Sequence, residues 1–221
     1  MPRRPHNKGR HVTVTDLPYN TIERLFVYRR ILQETLSDGK SHIFSHEMAR
    51  VSGASSEQVR RDLMLVGAEG NRRTGYDCLK LLRELNAFFK VETDVRMVVV
   101  GVGNLGRAVL SYFMGKQPHL RVVAAFDADP SKTNRVIHGC HCYSIDELET
   151  TLKGKLVHVG IIAVPDSYAQ DVAERLIRAG VGTLLNFAPV RLRLPDGIHV
   201  ENMDVTLSVE RLGFFAKTNR S

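Results

Sequence analysis

The sequence is poor in cysteine and has no long apolar run. Three cysteines in 221 residues, Cys78, Cys140 and Cys142, make no disulfide framework, and a reducing cytosol is the simpler setting. No stretch approaches the roughly eighteen consecutive apolar residues that read as a membrane span. The first ten residues are basic, with no apolar stretch behind them, and so do not read as a secretory signal. A metal site is equally short of material. His138-Gly139-Cys140-His141-Cys142 has no second ligand cluster of matching kind, and a strand or loop is the expected reading there.

What is present is enough apolar residue, 43%, for a packed core. The charge is unevenly placed. Residues 1–90 hold 16 Lys/Arg against 10 Asp/Glu, a net +6, whereas residues 91–221 hold 15 against 14, a net +1. A basic N-terminal half beside a near-neutral partner is the footprint of a polyanion-binding domain. Residues 1–14 read as a loose basic arm.

Residues 16–36 carry Ile22, Leu25, Phe26, Ile31, Leu32 and Leu36 near helical spacing, and Asp38-Gly39 stops the pattern. A short helix from Ser45 to Val51 follows, then a third that runs to about Val66. Ser55 to Gln58 fits a capping box, in which the Ser55 hydroxyl caps the third helix and Gln58 reaches back to the Ser55 amide. Helix, short helix, turn, helix is the order of a helix-turn-helix. On the third helix Val59, Leu63 and Val66 should face inward. Arg60 and Arg61 then face outward, where guanidinium groups suit phosphate oxygens and guanine edges. Ser56 and Gln58 complete the expected DNA-facing set on this helix. The stretch from Gly67 to Tyr76 has the glycines for a two-stranded wing, with Arg72 and Arg73 at its tip. A fourth helix, Asp77 to about Lys90, carries Leu79, Leu82, Leu85, Phe88 and Phe89 and should pack on the first.

The second half opens on Met97-Val98-Val99-Val100, an apolar run of the kind buried in a parallel sheet. Gly101-Val102-Gly103-Asn104-Leu105-Gly106 follows at once, and then a helical pattern. Strand, glycine turn and helix together form a dinucleotide fingerprint. Gly101 permits the tight turn, Gly103 lets backbone approach a pyrophosphate, and Gly106 lets helix and strand pack closely. A second run, Val122 to Phe126, ends at Asp127, 21 residues past Gly106. An acid there bonds an adenosine ribose and repels a 2′-phosphate, which favours NAD(H) over NADP(H). Helical and strand patterns then alternate: Ser144–Leu152, Leu156–Val164, Ser167–Ala179 and Gly182–Phe187. The strand ends at Val164-Pro165 and Phe187 would offer an apolar wall to a nicotinamide, and such a wall favours the neutral reduced ring over the cation.

Two features argue against catalysis. The fold has little chain left after about residue 200 for a substrate domain. No His-plus-acid or Tyr-x-x-x-Lys pairing stands where it could move a proton beside a nicotinamide. An NAD-dependent oxidoreductase with an accessory DNA module, and a scaffold for coenzyme A, remain the alternatives; Asp127 counts against the second. Asp204 to about Lys217 forms a last helix, capped by Asp204, which either folds onto its own domain or is offered to a second subunit.

Over roughly residues 17–216 the chain resembles the Rex family of redox-sensing transcriptional repressors. The resemblance rests on Arg24-Leu25, Tyr28 to Leu32, Ser56 to Leu63, Gly75-Tyr76, the glycine motif, Val164-Pro165, Asn186 to Val190 and Glu201 to Asp204. It implies a cytoplasmic homodimer with exchanged C-terminal helices. Such a dimer binds a palindromic double-stranded operator when NADH is scarce relative to NAD+, and NADH releases it. It further implies a state-dependent ion pair between Arg30 and Asp204 of different subunits, and Tyr112 at the nicotinamide side. Two positions depart from the family pattern: Arg73 stands where the wing usually has glycine, and Val205 where some relatives have Phe. The expected architecture is α/β: arm 1–14, winged helix-turn-helix 15–91, Rossmann-like parallel-sheet domain 92–202, and C-terminal helix 203–221, with no metal.

Overall fold

The computed structural model describes residues 17–90, 94–115 and 119–218; the basic arm lies outside them. The chain divides into two units, Met1–Glu92 and Thr93–Ser221.

In the first unit, α1 (Tyr19–Ser37), β1 (His42–Ile43), α2 (Ser45–Ser52), α3 (Ser56–Leu65), β2 (Tyr76–Asp77) and α4 (Cys78–Phe89) surround one core. α1 buries Leu25, Tyr28, Ile31 and Leu32, while Phe26 is left about half exposed and stacks on Phe89, ring centroids 4.1 Å apart. The expected stripe was thus rotated: Tyr28, not Phe26, is the buried aromatic, because its hydroxyl finds an acceptor inside. α4 shows the same shift. Cys78, Leu81 and Leu85 point inward and Leu79 outward, and Asp77 caps the helix by accepting from the Lys80 amide at 2.8 Å.

The wing is smaller than a free ribbon. Asn71 and Gly75 exchange both backbone hydrogen bonds at 2.8 Å, and the strand that follows pairs antiparallel with β1 instead. Gly75 is confined to glycine twice over: its φ is +78°, and a Cβ there would collide with the Ile43 carbonyl.

The second unit holds β3 (Val95–Val100), α5 (Asn104–Phe113), β4 (Leu120–Asp127), β5 (Arg135–Ile137), β6 (Cys140–Ser144), α6 (Leu148–Leu152), β7 (Val159–Ile162), α7 (Asp166–Arg178), β8 (Thr183–Asn186), β9 (His199–Asn202) and α8 (Val205–Thr218). Among the described residues these strands form one sheet in the order β5-β6-β4-β3-β7-β8-β9. All neighbours run parallel except the β5–β6 hairpin. Apart from β5, two halves diverge from β3, the order of a doubly wound sheet. Its two faces bury separate cores, one around Phe126, Leu148 and Leu176 and one around Val99, Leu110 and Ile161.

Several elements differ from the expected ones. Ser144–Leu152 begins as a 3-10 turn, Ile145–Glu147, before α6. β7 is shorter than the apolar run that announced it, and Leu156 stays exposed. The His138–Cys142 stretch supplies the turn and strand of the β5–β6 hairpin. β9 extends the sheet beside β8 although its sequence, His-Val-Glu-Asn, has one apolar residue. An edge strand exposed on one side needs no more. Asp204 caps α8, its carboxylate accepting from the Leu207 amide at 2.8 Å.

Candidate nucleotide cavity and nucleic-acid interface

The carboxyl ends of β3, β4 and β7 meet at the point where the strand order reverses. There the backbone of β3 turns out at Gly101, whose φ of +92° and contact with the Ala163 carbonyl leave no room for a side chain. Gly106 is held the same way, since a Cβ on it would overlap the Gly101 carbonyl oxygen. Gly103 differs. A Cβ there would meet nothing within 4 Å, so it faces open space. Gly103 also supplies no side-chain cap to α5, which leaves first-turn amides of that helix to an outside acceptor, the arrangement that receives a diphosphate.

Beside this loop is a cavity of about 570 Å³, of the size that holds a small-molecule ligand. Gly101, Gly103, Asp127, Val164 and Pro165 line it. So do Asp129, a rival to Asp127 as the ribose acid by its place in the sequence, Tyr168, and four residues the sequence reading passed over: Lys132, Ile145, Asp171 and Arg175. The carboxylate of Asp127 accepts from the Val102 amide at 2.6 Å and the Asp129 amide at 2.9 Å, and so ties the glycine loop to the end of β4. Lys132 lies 3.2 Å from the same carboxylate. Arg175 is engaged with Glu149 at 2.8 Å, a pairing that holds the Glu149 carboxyl down at about 2. Asn104, Leu105, Gly106, Tyr112 and Phe187 are not among the lining residues. Leu105 and Tyr112 are exposed on α5, and Phe187 packs against the core that contains Val102 and Leu110. Among the described residues no group of three or more His, Cys, Asp or Glu is placed to hold a metal. Cys140 and Cys142 are buried, and burial pushes each thiol up to about 11.

In the first unit, α3 presents Arg60 and Arg61 to solvent. Arg60 donates to the Ser45 hydroxyl at 3.1 Å and Arg61 to the Gln58 side-chain oxygen at 3.1 Å. Both acceptors are neutral, so these bonds orient the guanidiniums without cancelling their charge. Gln58 does not complete the expected capping box. Ser55 accepts from the Gln58 amide at 3.1 Å, but the Gln58 side chain turns the other way and donates to Asp62 at 2.6 Å. With its Nε2 on the buried carboxylate and its Oε1 accepting from Arg61, the Gln58 side chain is held away from the Ser55 amide. Asp62 is 1% exposed and takes further bonds from Arg24, at 2.7 and 2.9 Å, and from the Tyr28 hydroxyl at 3.0 Å. Burial pushes its carboxyl upward, yet the bonds from Arg24, Gln58 and Tyr28 prevail and hold it below the usual value. Ser56 is half-buried at the start of α3, and Arg72 and Arg73 are exposed at the wing tip.

A family model of a CoA binding domain matches residues 92–190, and one of a DNA-binding protein N-terminus matches residues 16–63. The redox-sensing transcriptional repressor Rex of Carboxydothermus hydrogenoformans is 40% identical over 198 residues, 90% of this chain and 95% of that protein. The chain belongs to the Rex family of redox-sensing transcriptional repressors. The Rex of Syntrophobacter fumaroxidans is 38% identical over 199 residues, again 90% of this chain and 95% of the relative. Among solved structures, the Rex-family repressor RSP in complex with β-NAD+ and operator DNA matches with a TM-score of 0.85 at 26% identity, covering 92% of this chain and 94% of that one. RSP in complex with β-NADH matches with a TM-score of 0.80, covering 95% and 97%. The Rex likeness therefore spans both units and not the nucleotide fold alone.

Proposed function

We propose that this Rex-family chain is a cytoplasmic homodimeric repressor that grips a palindromic operator when NADH is scarce relative to NAD+ and lets go when NADH binds. The observation that carries this reading is the conjunction, in one chain, of a glycine loop open at Gly103 beside Asp127 and a helix-turn-helix with two uncancelled arginines. RSP is known in complex with both nucleotides and with operator DNA, which supports the same pairing of ligands here.

In this reading the α5 N-terminus, from Gly103 through Asn104, Leu105 and Gly106, receives the pyrophosphate. Asp127 takes the adenosine ribose, and Val164, Pro165, Phe187 and Tyr112 surround the nicotinamide. Ser56, Gln58, Arg60 and Arg61 of α3 face the major groove, with Arg72 and Arg73 on the flanking backbone or groove. α8 supports the exchange of helices between subunits. Val205, Leu207, Val209, Leu212, Phe214 and Phe215 are all more than half exposed, an apolar surface that a second copy would cover. Arg30, exposed on α1, and Asp204 form the pair that one arrangement of the dimer makes and the other breaks.

NADH acts by differential affinity for the arrangement that cannot span the operator. Moving a 1:99 population to 99:1 takes about 5.5 kcal/mol, shared between two sites. The protein turns nothing over. The cavity-lining cations Lys132 and Arg175 are ion-paired, and no histidine is among the described residues that line it. A gel shift on the DNA upstream of the protein's own gene, titrated with NADH and with NAD+, tests the proposal. Release by NADH at concentrations where NAD+ leaves the complex intact supports it, and steady consumption of NADH would favour an oxidoreductase.

A further inference from the structure

We propose that Lys132 is a specificity-determining residue of the nucleotide cavity, and that it weakens the discrimination against a 2′-phosphate that Asp127 would impose alone. The inference rests on the dinucleotide reading above. Asp127 ends β4 with its side chain 10% exposed, and each of its oxygens already has two donors. Oδ2 accepts from the Val102 amide at 2.6 Å and from Lys132 Nζ at 3.2 Å. Oδ1 accepts from the Asp129 amide at 2.9 Å and from the same ammonium at 3.4 Å. The amides belong to the loops that shape the cavity and cannot leave without moving them. The ammonium sits at the end of a flexible stem and has a second anion in reach, Asp129 at 3.6 Å.

Two consequences follow for a ligand. A ribose diol that donates to Asp127 competes with Lys132 for the carboxylate's lone pairs. A 2′-phosphate brought to the same corner meets an ammonium as well as a carboxylate, and at such distances the attraction offsets much of the repulsion. Lys132 therefore costs the unphosphorylated dinucleotide a partner and gives the phosphorylated one a counterion. Both effects lower the preference for NAD(H) over NADP(H), so removing the charge raises it in either case.

The test is calorimetric titration of the full-length protein with NADH and with NADPH, for wild type, Lys132→Met and Lys132→Arg. The ratio of the NADPH to the NADH dissociation constant is expected to rise about tenfold in K132M and to stay near wild type in K132R. Lys132→Gln, uncharged but still a hydrogen-bond donor, makes the same comparison if K132M lowers the thermal midpoint. An unchanged ratio in the uncharged variants, or an equal rise in K132R, would overturn the proposal. Failure of wild type to bind either nucleotide would instead overturn the dinucleotide reading beneath it.

Discussion

Arg24 and Asp62 form a two-point ion pair, at 2.7 and 2.9 Å, that ties α1 to α3. Tyr28 and Gln58 complete the shell of the carboxylate. Asp62→Ala would leave the Tyr28 hydroxyl, itself buried, and the Arg24 guanidinium without their acceptor. A loss of about 3 kcal/mol in urea unfolding is expected. Because the folded carboxyl lies below its ordinary value, its contribution is full above about pH 4 and disappears as pH falls through the folded value. A cost below about 1 kcal/mol would mean that the pair is ornamental to the fold.

Gly103 and Gly106 lie three residues apart, yet their alanine variants should fail in different ways. Gly106→Ala drives a methyl into the Gly101 carbonyl and is expected to cost about 1–3 kcal/mol. Gly103→Ala has free space and an unstrained φ of −78°. It should melt like wild type while binding NADH at least about tenfold more weakly, because its methyl stands where a diphosphate must approach the backbone. Thermal melts and NADH titrations of both variants separate the two outcomes.

If α3 reads the operator, Arg60 and Arg61 act on DNA affinity alone. Arg60→Ala or Arg61→Ala should weaken operator binding by about 1–3 kcal/mol and leave NADH affinity unchanged. Gln58 holds Arg61 through its side-chain oxygen. Gln58→Ala should therefore lose affinity in wild type but little in the Arg61→Ala background, a coupling that a double-mutant cycle on labelled operator DNA measures. Full additivity would show that Gln58 acts without Arg61.

Glu149 and Arg175 tie α6 to α7. With the folded carboxyl near 2 and its ordinary value at 4.5, the pair contributes fully above the latter and is lost progressively as pH falls toward the former. Glu149→Gln should flatten the decline in thermal midpoint between pH 5 and pH 2.5, and an unaltered slope would place the acid sensitivity elsewhere.

Much of the fold was legible in the sequence because it is local. The run Met97–Val100, the glycine turn and Asp127 announce a strand, a loop and a second strand by spacing alone, and Ser55 and Asp204 announce helix starts. What stayed hidden depends on contacts far apart in sequence. Tyr28 is buried because Asp62, 34 residues away, accepts its hydroxyl; periodicity put Phe26 there instead. Gln58 could reach back to the Ser55 amide or turn toward Asp62 and Arg61, and only the folded contacts with those two decide. β9 has a strand's hydrogen bonds without a strand's composition, since its register against β8 supplies them. Lys132 follows an Asp-Pro turn and looks like any surface lysine; its meaning comes from the carboxylate to which the turn returns it.

Reduced nucleotide in the Rossmann unit is expected to release the winged helix from DNA. Fluorescence anisotropy of a labelled operator fragment, at fixed total NAD(H) and rising NADH fraction, tests it most directly. Operator affinity should fall as the NADH fraction rises in wild type and stay level in Asp127→Ala. Equal affinity at every ratio in wild type would contradict the claim.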